Sequence, residues 1–404
     1  MKIRLKDVPI ILALLLFIGC QKEPTLSDET MVLDDGLLQT EPPSEITLET
    51  PDKVDNTEPE PLWHKPTHVK IAEDALKIIG VSPTGIYEYA GDPDDFTGSA
   101  DEGLWYHSGK PGHAYFYRPG TPPVNVYWPL PEPPYWADDN VESWFIKAKD
   151  SYTPQSPSTA KRRLGYVAHY IGDLANPYHT YDYGLGQQWC DHTDYENWVN
   201  DCWTSRHYFR NRYFPVGADS NFINNYYVDY SARQLANTSS YYYNYVGSWF
   251  DNDVRDDWPP YENKTLAVAQ GTAEALKLGV SAIAGMYIKF CKEVGAYGGY
   301  LSYGPYTISQ SQNLYFSIWT SDYIHHISVN WNRQSGADID VYLYDKNWTL
   351  LWYSNSYYNN PEYGSYTPPA GSGPYYYIRV RHYSGNSTQF QLNILLINRN
   401  HPYL

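Results

Sequence analysis

The sequence has few methionines and few basic residues. These two shortages limit the compartment and the partners that can be expected for the protein. Only three of its 404 residues are methionine, whereas 43 are tyrosine and 14 are tryptophan, which favours a rigid, aromatic-rich protein outside the cytoplasm. It carries 29 basic against 46 acidic residues, a formal charge of −17. Because an acidic chain gains no electrostatic help in binding a polyanion, nucleic acid is disfavoured as a partner. Neither an internal repeat nor a signal for a protein partner is evident.

The N-terminus lacks an apolar run long enough to span a bilayer. Val8–Ile18 is apolar but short, and it follows Met1–Lys6, which supplies three positive side chains. This pattern predicts a signal peptide over residues 1–20 and therefore export. A small residue, Gly19, immediately precedes Cys20, which resembles the lipobox of prokaryotic lipoproteins. We therefore expect lipidation of Cys20 and an envelope lipoprotein, or else a plain secretory signal and a secreted protein.

The rest of the chain is predicted to be multidomain. Residues 21–62 hold twelve acidic and two basic residues without periodicity, which indicates a disordered linker or a propeptide. An all-α helical domain is predicted over 63–296 and an antiparallel β-sandwich over 304–398. The string AYGGYLSYGPY between them, residues 296–306, is interpreted as a linker.

Individual elements follow from the period of the apolar residues. Helical periodicity predicts helices at about 67–79, 139–150, 158–175, 192–204, 221–250 and 262–294. Alternating runs predict strands at 314–320, 325–331, 338–345, 375–383 and 390–397.

One short segment concentrates potential metal ligands. Its string HYIGDLANPYHTYDYGLGQQWCDHTDYE contains His169, Asp173, His179, His192 and Glu196. Side chains four residues apart leave the same face of a helix, so His169 should point with Asp173, and His192 with Glu196. A proline ends the first helix two residues before His179, which places that imidazole on the turn. Imidazoles and carboxylates in this arrangement are what a zinc cluster requires.

The string HYIGDLANPYH followed by HTDYE resembles the core motif of the zinc-dependent phospholipase C family, helical enzymes that hold three zinc ions. The related single-strand-specific zinc nucleases share the first half of the motif but usually finish with histidine and aspartate. Glu196 therefore favours the phospholipases. The resemblance implies a phosphoric diester hydrolase with up to three zinc ions, which cleaves phospholipid at a membrane surface to diacylglycerol and a phosphorylated head group.

The same resemblance implies further ligands upstream of this segment. His68 in THVKIAEDAL matches the histidine of the first helix, Asp94 in AGDPDDF matches a loop aspartate, and His113 in GHAYFYRPG resembles the H-F-Y-D-P element. In the family, a tryptophan binds zinc through its free α-amine, and Trp63 occupies that position. Asp94 would also orient or deprotonate the attacking water, which makes it the candidate catalytic residue.

Carried over by position, these residues form three groups. One zinc would be held by Asp94, His113, His169 and Asp173, a second by His179, His192 and Glu196, and a third by His68, Trp63 and a bridging Asp173.

Several of these positions have competitors. Asp92 and Asp95 flank Asp94, and His107 lies closer to the usual spacing than His113. Trp63 can serve only if the chain is cut before it, which would also release the protein from a lipid anchor. Five residues separate Trp63 from His68, as in the nucleases.

The cysteines and the C-terminal region complete the prediction. Cys190 and Cys202 flank the predicted helix that carries His192 and Glu196, and they are expected to form a disulfide. Cys291 should be a buried thiol. The stretch DIDVYLYDKNWTLLWYS and its continuation to FQLNI resemble the pre-peptidase C-terminal domain of secreted hydrolases. Two alternatives to a phospholipase stay open: a zinc-dependent single-strand nuclease, and a non-enzymatic surface lipoprotein with an aromatic binding module.

Overall fold

The computed structural model describes residues 65–94, 114–115, 117–119, 127–129, 136–181, 188–202, 217–250, 267–319, 322–332, 336–356, 360–369 and 375–404. The predicted leader 1–20 with Cys20, the acidic segment 21–62, Trp63 and His113 lie outside these residues. The expectations that rest on them stay predictions.

The first half of the described chain is helical. Its helices are α1 (Lys65–Lys77), α2 (Ala137–Ser151), α3 (Ser158–Ala175), α4 (Pro177–Thr180), α5 (Gln188–Asn200), α6 (Ser220–Asn224), α7 (Val228–Ser240), α8 (Tyr243–Phe250) and α9 (Ala267–Glu293). Two 3-10 turns, Tyr87–Tyr89 and Asp92–Asp94, follow α1, and a two-stranded ribbon joins β1 (Tyr117–Pro119) to β2 (Tyr127–Pro129).

The single helical segment predicted at about 221–250 was wrong in one respect, because the chain breaks twice there. Asn225 adopts an extended conformation that ends α6, and its side-chain Nδ2 donates to Ser231 Oγ at 2.9 Å. A second turn at Tyr241 and Tyr242 separates α7 from α8. Asparagine side chains compete with helical hydrogen bonds in this way, and a periodicity count does not register it.

Helix α9 is the centre of the helical domain. It is buried on most of its circumference, including Leu276, Ile283 and Phe290, and α1, α3, α6 and α8 pack around it. A helix that is buried over most of its surface belongs in the core of a bundle. Within the described part of the chain, no helix has both the length and the apolar character that crossing a membrane would require.

The second half is an antiparallel β-sandwich, as predicted. Its strands are β3 (Tyr297–Ile308), β4 (Asn313–Trp319), β5 (Tyr323–Trp331), β6 (Asp338–Asp345), β7 (Leu350–Ser354), β8 (Glu362–Tyr366), β9 (Tyr375–Ser384) and β10 (Thr388–Asn398). One sheet has the order β3-β10-β5-β8 and the other β4-β9-β6-β7. Their inner faces form one apolar core that includes Val329, Ile378 and Leu392.

The prediction of a linker in the Gly/Tyr-rich segment was wrong, because this segment forms most of the edge strand β3. Its residues pair with β10 from Tyr297 to Ile308, with register shifts near both ends. The hydroxyl of Tyr300 donates to Asn393 Oδ1 at 3.0 Å, which holds the strand on the sheet. Glycines lower strand propensity, but tyrosines that pack on a neighbouring strand outweigh this. The strands therefore begin at Tyr297, and the domain boundaries at 296 and 304 stay predictions.

The sandwich packs directly on the helical domain. The buried core of the helices includes Ile324, Leu395 and Ile397 from the β3-β10-β5-β8 sheet. A Cβ atom on Gly80, just after α1, would lie 2.5 Å from the backbone nitrogen of Ile327, so the two parts approach at van der Waals distance. This contact makes the sheet a structural support for α1.

Candidate metal centre

Helices α1 and α3 bring two histidines together inside the helical domain. The rings of His68 and His169 lie with their centroids 4.0 Å apart, and both side chains are buried. This approach needs a residue without a side chain on α3, because a Cβ atom on Gly172 would lie 2.7 Å from Nδ1 of His68. The glycine of the HYIGD string therefore sets the distance between the two helices.

Asp173 is the centre of the group, since its carboxylate faces three imidazoles. Its Oδ1 lies 3.4 Å from Nε2 of His68 and 3.2 Å from Nδ1 of His179, and its Oδ2 lies 3.2 Å from Nε2 of His169. The predicted pairing of residues four apart on α3 is what aims His169 and Asp173 at one point. His68, His169 and Asp173 each offer a ligand atom within 4.8 Å of the others.

Glu196 extends the group from α5. Its Oε1 lies 3.1 Å from Nε2 of His179, so that one imidazole stands between two carboxylates. Asn176 holds this arrangement, because its Nδ2 donates to Glu196 Oε1 at 2.7 Å while its Oδ1 accepts from the backbone N–H of Tyr178 at 3.0 Å. We call His68, His169, Asp173, His179 and Glu196 the central cluster.

The two nitrogens of His169 both face oxygen atoms. Nδ1 lies 2.9 Å from the carbonyl oxygen of Ala90, and Nε2 faces Asp173 Oδ2. A neutral imidazole carries a single N–H, so only one of these contacts can be a hydrogen bond. Burial lowers the pKa of His169, and the nearby His68 adds to this, which favours the neutral ring. If Nδ1–H donates to Ala90, a lone pair of Nε2 points at the carboxylate, and a cation between them would remove the repulsion.

The pKa of His179 is shifted in the opposite direction from that of His169. Burial alone would lower the pKa of its imidazole, but the hydrogen bonds that its N–H groups donate to Asp173 and Glu196, with the charges of these carboxylates, outweigh burial and raise the pKa to about 9. In the absence of a metal ion, this ring is therefore a buried imidazolium between two carboxylates. A divalent cation at the same carboxylates would have to displace that proton.

The donor set of the central cluster fits zinc. Imidazole nitrogens and carboxylate oxygens are preferred zinc ligands, and two ligands of a tetrahedral ion bound at about 2.0–2.1 Å lie about 3.3 Å apart. The three separations around Asp173, from 3.2 to 3.4 Å, match this spacing. Groups that orient the ligands are also present, since the carbonyl oxygen of Ala90 contacts the ring of His169 and the amide of Asn176 donates to Glu196.

The structure thus gathers five of the predicted ligands into one buried group. Asp94 and His192 lie in described helical turns, but their side chains fall outside the described residues, as does the side chain of Cys190. His113 and Trp63 are outside altogether, with the competitors Asp95 and His107. Asp92 is described, and its Oδ1 lies 3.5 Å from Nζ of Lys65.

The predicted cysteine states have different outcomes. Cys202 is buried, and its disulfide with Cys190 stays a prediction. Cys291 is a buried free thiol in α9, as predicted, and burial raises its pKa well above that of an exposed thiol.

Three positions that shape the cluster were missed from sequence. Gly172 lies inside the recognised string but was not assigned a role, although a glycine within an apolar helix signals a close approach. Asn176 precedes a proline and an N-cap was detectable there, but its bond to Glu196 was not. The carbonyl of Ala90 carries no sequence signal, since any residue would supply it.

Comparison with known proteins gives structural neighbours only. No family model matches the chain, and no curated protein matches it. The chain is similar to the alpha toxin from Clostridium absonum, with 14% identity over 76% of this chain and 84% of that chain and a TM-score of 0.36. It is also similar to the Clostridium perfringens alpha-toxin isolated from avian strain SWCP, with 14% identity, 79% and 83% coverage and a TM-score of 0.38. The fold described above therefore rests on the chain's own helices and strands, and its chemistry rests on the central cluster.

Proposed function

We propose that this protein is a zinc-dependent phosphodiester hydrolase of phospholipase C type, which cleaves phospholipids to diacylglycerol and a phosphorylated head group. The observation that carries the proposal is the position of Asp173, a fully buried carboxylate that faces His68, His169 and His179 at 3.2–3.4 Å. In the metal-free protein one protonated imidazole faces two buried carboxylates, which leaves a buried negative charge that a bound cation would neutralise. The motif that predicted these residues from sequence resembles that of the zinc phospholipases, and Glu196 at its end favours this substrate class over that of the nucleases.

The proposed ligand groups follow the central cluster. His169 and Asp173 would hold one ion together with Asp94 and His113, and His179 and Glu196 would hold a second with His192. Asp173 would extend to a third ion with His68 and, after cleavage of the chain, Trp63. Bound zinc acidifies water and neutralises phosphate oxygens, which is the chemistry that phosphodiester hydrolysis needs.

The protein's own groups then have defined tasks. Ala90 keeps His169 in one orientation, and Asn176 does the same for Glu196. Asp94 would orient the attacking water and accept its proton. Its 3-10 turn, Asp92–Asp94, follows Ala90 closely and contacts α3, so the segment that orients His169 also carries the candidate base.

The segment around residues 114–117 supports His113 over His107 as a ligand. The backbone N–H of Tyr115 donates to the carbonyl oxygen of His179 at 3.0 Å, and Tyr117 pairs with Tyr181 in a parallel bridge. His113 stands only two residues before Tyr115 in the sequence, whereas His107 stands eight before it. The short tether favours His113 as the partner of His169 and Asp173.

The proposed protein acts outside the cytoplasm. The predicted signal peptide and Cys20 would place it in the envelope or release it, where phospholipid is available as substrate. Cleavage before Trp63 would both free the α-amine for zinc and detach the enzyme from a lipid anchor. N-terminal sequencing of the mature protein tests this step directly.

The activity is tested with the zinc-loaded full chain on two substrates. We expect release of water-soluble phosphate ester from phosphatidylcholine vesicles and no digestion of single-stranded DNA. Asp173→Asn should abolish release, whereas Asp74→Asn, which alters another buried carboxylate on the same framework, should retain it. Digestion of DNA alone would assign the chain to the nucleases. Binding of fewer than two zinc equivalents, with neither activity, would leave the non-enzymatic alternative.

A further inference from the structure

The helices that carry His179 and Glu196 are joined by an aromatic pair beside their polar pair. The rings of Tyr178 on α4 and Tyr195 on α5 have centroids 5.2 Å apart. Nε2 of His179 lies 3.1 Å from Oε1 of Glu196, and all four side chains are buried. Each tyrosine directly precedes a candidate metal ligand in the sequence. The separation of the two rings is therefore coupled to the separation of the two ligands.

Helix α5 contacts the rest of the helical domain through side chains next to Glu196. Tyr195, Trp198 and Val199 are fully buried, and their spacing of three and four residues places them on one face of the helix. The ring of Tyr195 also contacts Phe250 on α8 with centroids 5.5 Å apart, and α5 packs against α8 and α1. The position of Glu196 therefore depends on how this aromatic face packs.

Helix α4 is held by aromatic rings on both sides of His179. Tyr243 on α8 contacts Tyr178 edge-to-face with centroids 4.9 Å apart, and it stacks on Tyr181 at 4.2 Å with the ring planes 7° apart. We call Tyr178, Tyr181, Tyr195 and Tyr243 the aromatic clamp. A helix of four residues has little stability of its own, so α4 depends on tertiary contacts such as these for its position.

The hydroxyl group of Tyr195 contributes less to this arrangement than its ring. It donates to Oγ1 of Thr272 on α9 at 3.2 Å, and both residues are fully buried. An O–H···O bond of this length is longer than the usual 2.7–2.8 Å and is correspondingly weak. Burial raises the pKa of Tyr195, so the phenol is neutral. The contacts of the ring with Tyr178 and Phe250 therefore determine where α5 lies.

We propose that Tyr195 is a positioning residue for zinc, whose ring acts as a rigid spacer between α4 and α5. This inference rests on the proposed function, in which His179 and Glu196 hold one ion. A metal site requires ligand distances within about 0.2 Å of their ideal values. The protein around a lost side chain relaxes only partially, and a tyrosine has only two side-chain torsions. A smaller or more flexible side chain would therefore not maintain this separation.

The test is the zinc content of the full chain after equilibrium dialysis against a series of buffered free zinc concentrations. We expect Tyr195→Leu to weaken one of the bound equivalents by about tenfold or more and to leave the others nearly unchanged. Tyr195→Phe keeps the ring and should bind every equivalent nearly as the native chain does. Tyr195→Met restores part of the volume without the rigidity, so it should behave like Tyr195→Leu and carries the test if that variant does not fold.

Tyr287→Leu is the matched control for the loss of a ring. Tyr287 is also fully buried, and it lies on α9 beside Cys291, away from the aromatic clamp. This variant should lose stability as Tyr195→Leu does but retain all zinc equivalents. Selective loss of one equivalent therefore separates a positioning role from general destabilisation, which would weaken every equivalent.

The proposal would be overturned if Tyr195→Leu and Tyr195→Met bound zinc like the native chain, or if every equivalent weakened alike. Equally weak binding by Tyr195→Phe would also overturn it, because the hydroxyl group rather than the ring would then be responsible. Failure of the proposed function has a different signature. A native chain that binds two or more zinc equivalents but releases no phosphate ester from phosphatidylcholine vesicles would contradict the hydrolase and leave the role of Tyr195 intact.

Discussion

Gly172 and His68 lie so close together that a methyl group could not be placed between them. A Cβ atom on Gly172 would be 2.7 Å from Nδ1 and 3.1 Å from Cε1 of the imidazole. Gly172→Ala should therefore displace His68 from Asp173, lower zinc affinity by about tenfold or more, and reduce the free energy of unfolding by about 1–3 kcal/mol. Isothermal titration with zinc and urea unfolding of the metal-free protein measure the two effects.

Gly285→Ala is the matched control for this substitution. It lies on α9, and its Cβ would collide with the carbonyl oxygen of Asp219 at 2.5 Å, at the contact with the start of α6. We expect a similar loss of stability with zinc affinity nearly unchanged. Equal losses of zinc affinity in both variants would show that general destabilisation of the helical domain, rather than the position of His68, is responsible.

Asn176 joins a helix cap to the central cluster. Asn176→Ala removes the acceptor for the N–H of Tyr178 and the donor to Glu196. The lost cap should lower the free energy of unfolding by about 1 kcal/mol, and the freed carboxylate should lower zinc affinity by about tenfold. Asp219→Ala, which removes the cap of α6 through the N–H of Asn221, should give the first effect without the second. Unchanged zinc affinity in Asn176→Ala would contradict the role assigned to this amide.

The sequence was sufficient where local chemistry decides the structure. The bounds of α3, 158–175, were predicted correctly, because the helical repeat of apolar residues ends just before Asn176 and Pro177. The strand 338–345 was also predicted correctly from its alternation. The convergence of His169 with Asp173 follows from their spacing on one helix, so it was predictable without tertiary information.

The sequence was insufficient where distant contacts decide the structure. The segment that begins at Tyr297 forms a strand because Tyr300 and Ser302 both donate to Asn393, about ninety residues later in the chain. The role of Gly172 depends on the approach of α1, and the role of Asn176 depends on the position of Glu196. None of these contacts leaves a periodic signal.

The raised pKa of His179 predicts how zinc binding varies with pH. Its folded-state pKa of about 9 lies above the ordinary value of 6.5, so in metal-free protein its ion pairs are fully stabilising below pH 6.5. That stabilisation is lost as the pH rises through about 9. Zinc competes with this proton, so its apparent affinity should increase across the same interval, by about tenfold per pH unit for one proton released.

Competition with a chromophoric zinc chelator across this pH interval measures the effect. His179→Gln should show weaker binding with a smaller pH dependence. His401→Gln, whose parent imidazole contacts Tyr152 away from the cluster, should keep the native pH dependence. A zinc affinity that stays constant or falls as the pH rises would contradict a protonated His179 in the metal-free protein.

From the contacts of Asn393 we expect the helical domain and the sandwich to unfold together. This buried amide lies on β10, and its Nδ2 donates to the carbonyl oxygen of Ile78 at 2.8 Å while its Oδ1 accepts from Tyr300 and Ser302. Asn393→Leu leaves a carbonyl and two hydroxyl groups to find other partners, so the free energy of unfolding should fall by about 1–3 kcal/mol. Asn244→Leu, at an exposed amide on α8, should change it by less than about 0.5 kcal/mol.

The interface between the helical domain and the sandwich determines how many unfolding transitions the protein has. Because the core of the helices includes Leu395 and Ile397 of the sandwich, separating the two parts would expose apolar surface on both. We therefore expect far-UV circular dichroism, which reports α9 and the other helices, and tryptophan fluorescence from both parts to follow one urea transition in the native chain. Both probes should shift together in Asn393→Leu. Two separated transitions in the native chain would mean that the sandwich is an independent module and that its contact with α1 does not support the central cluster.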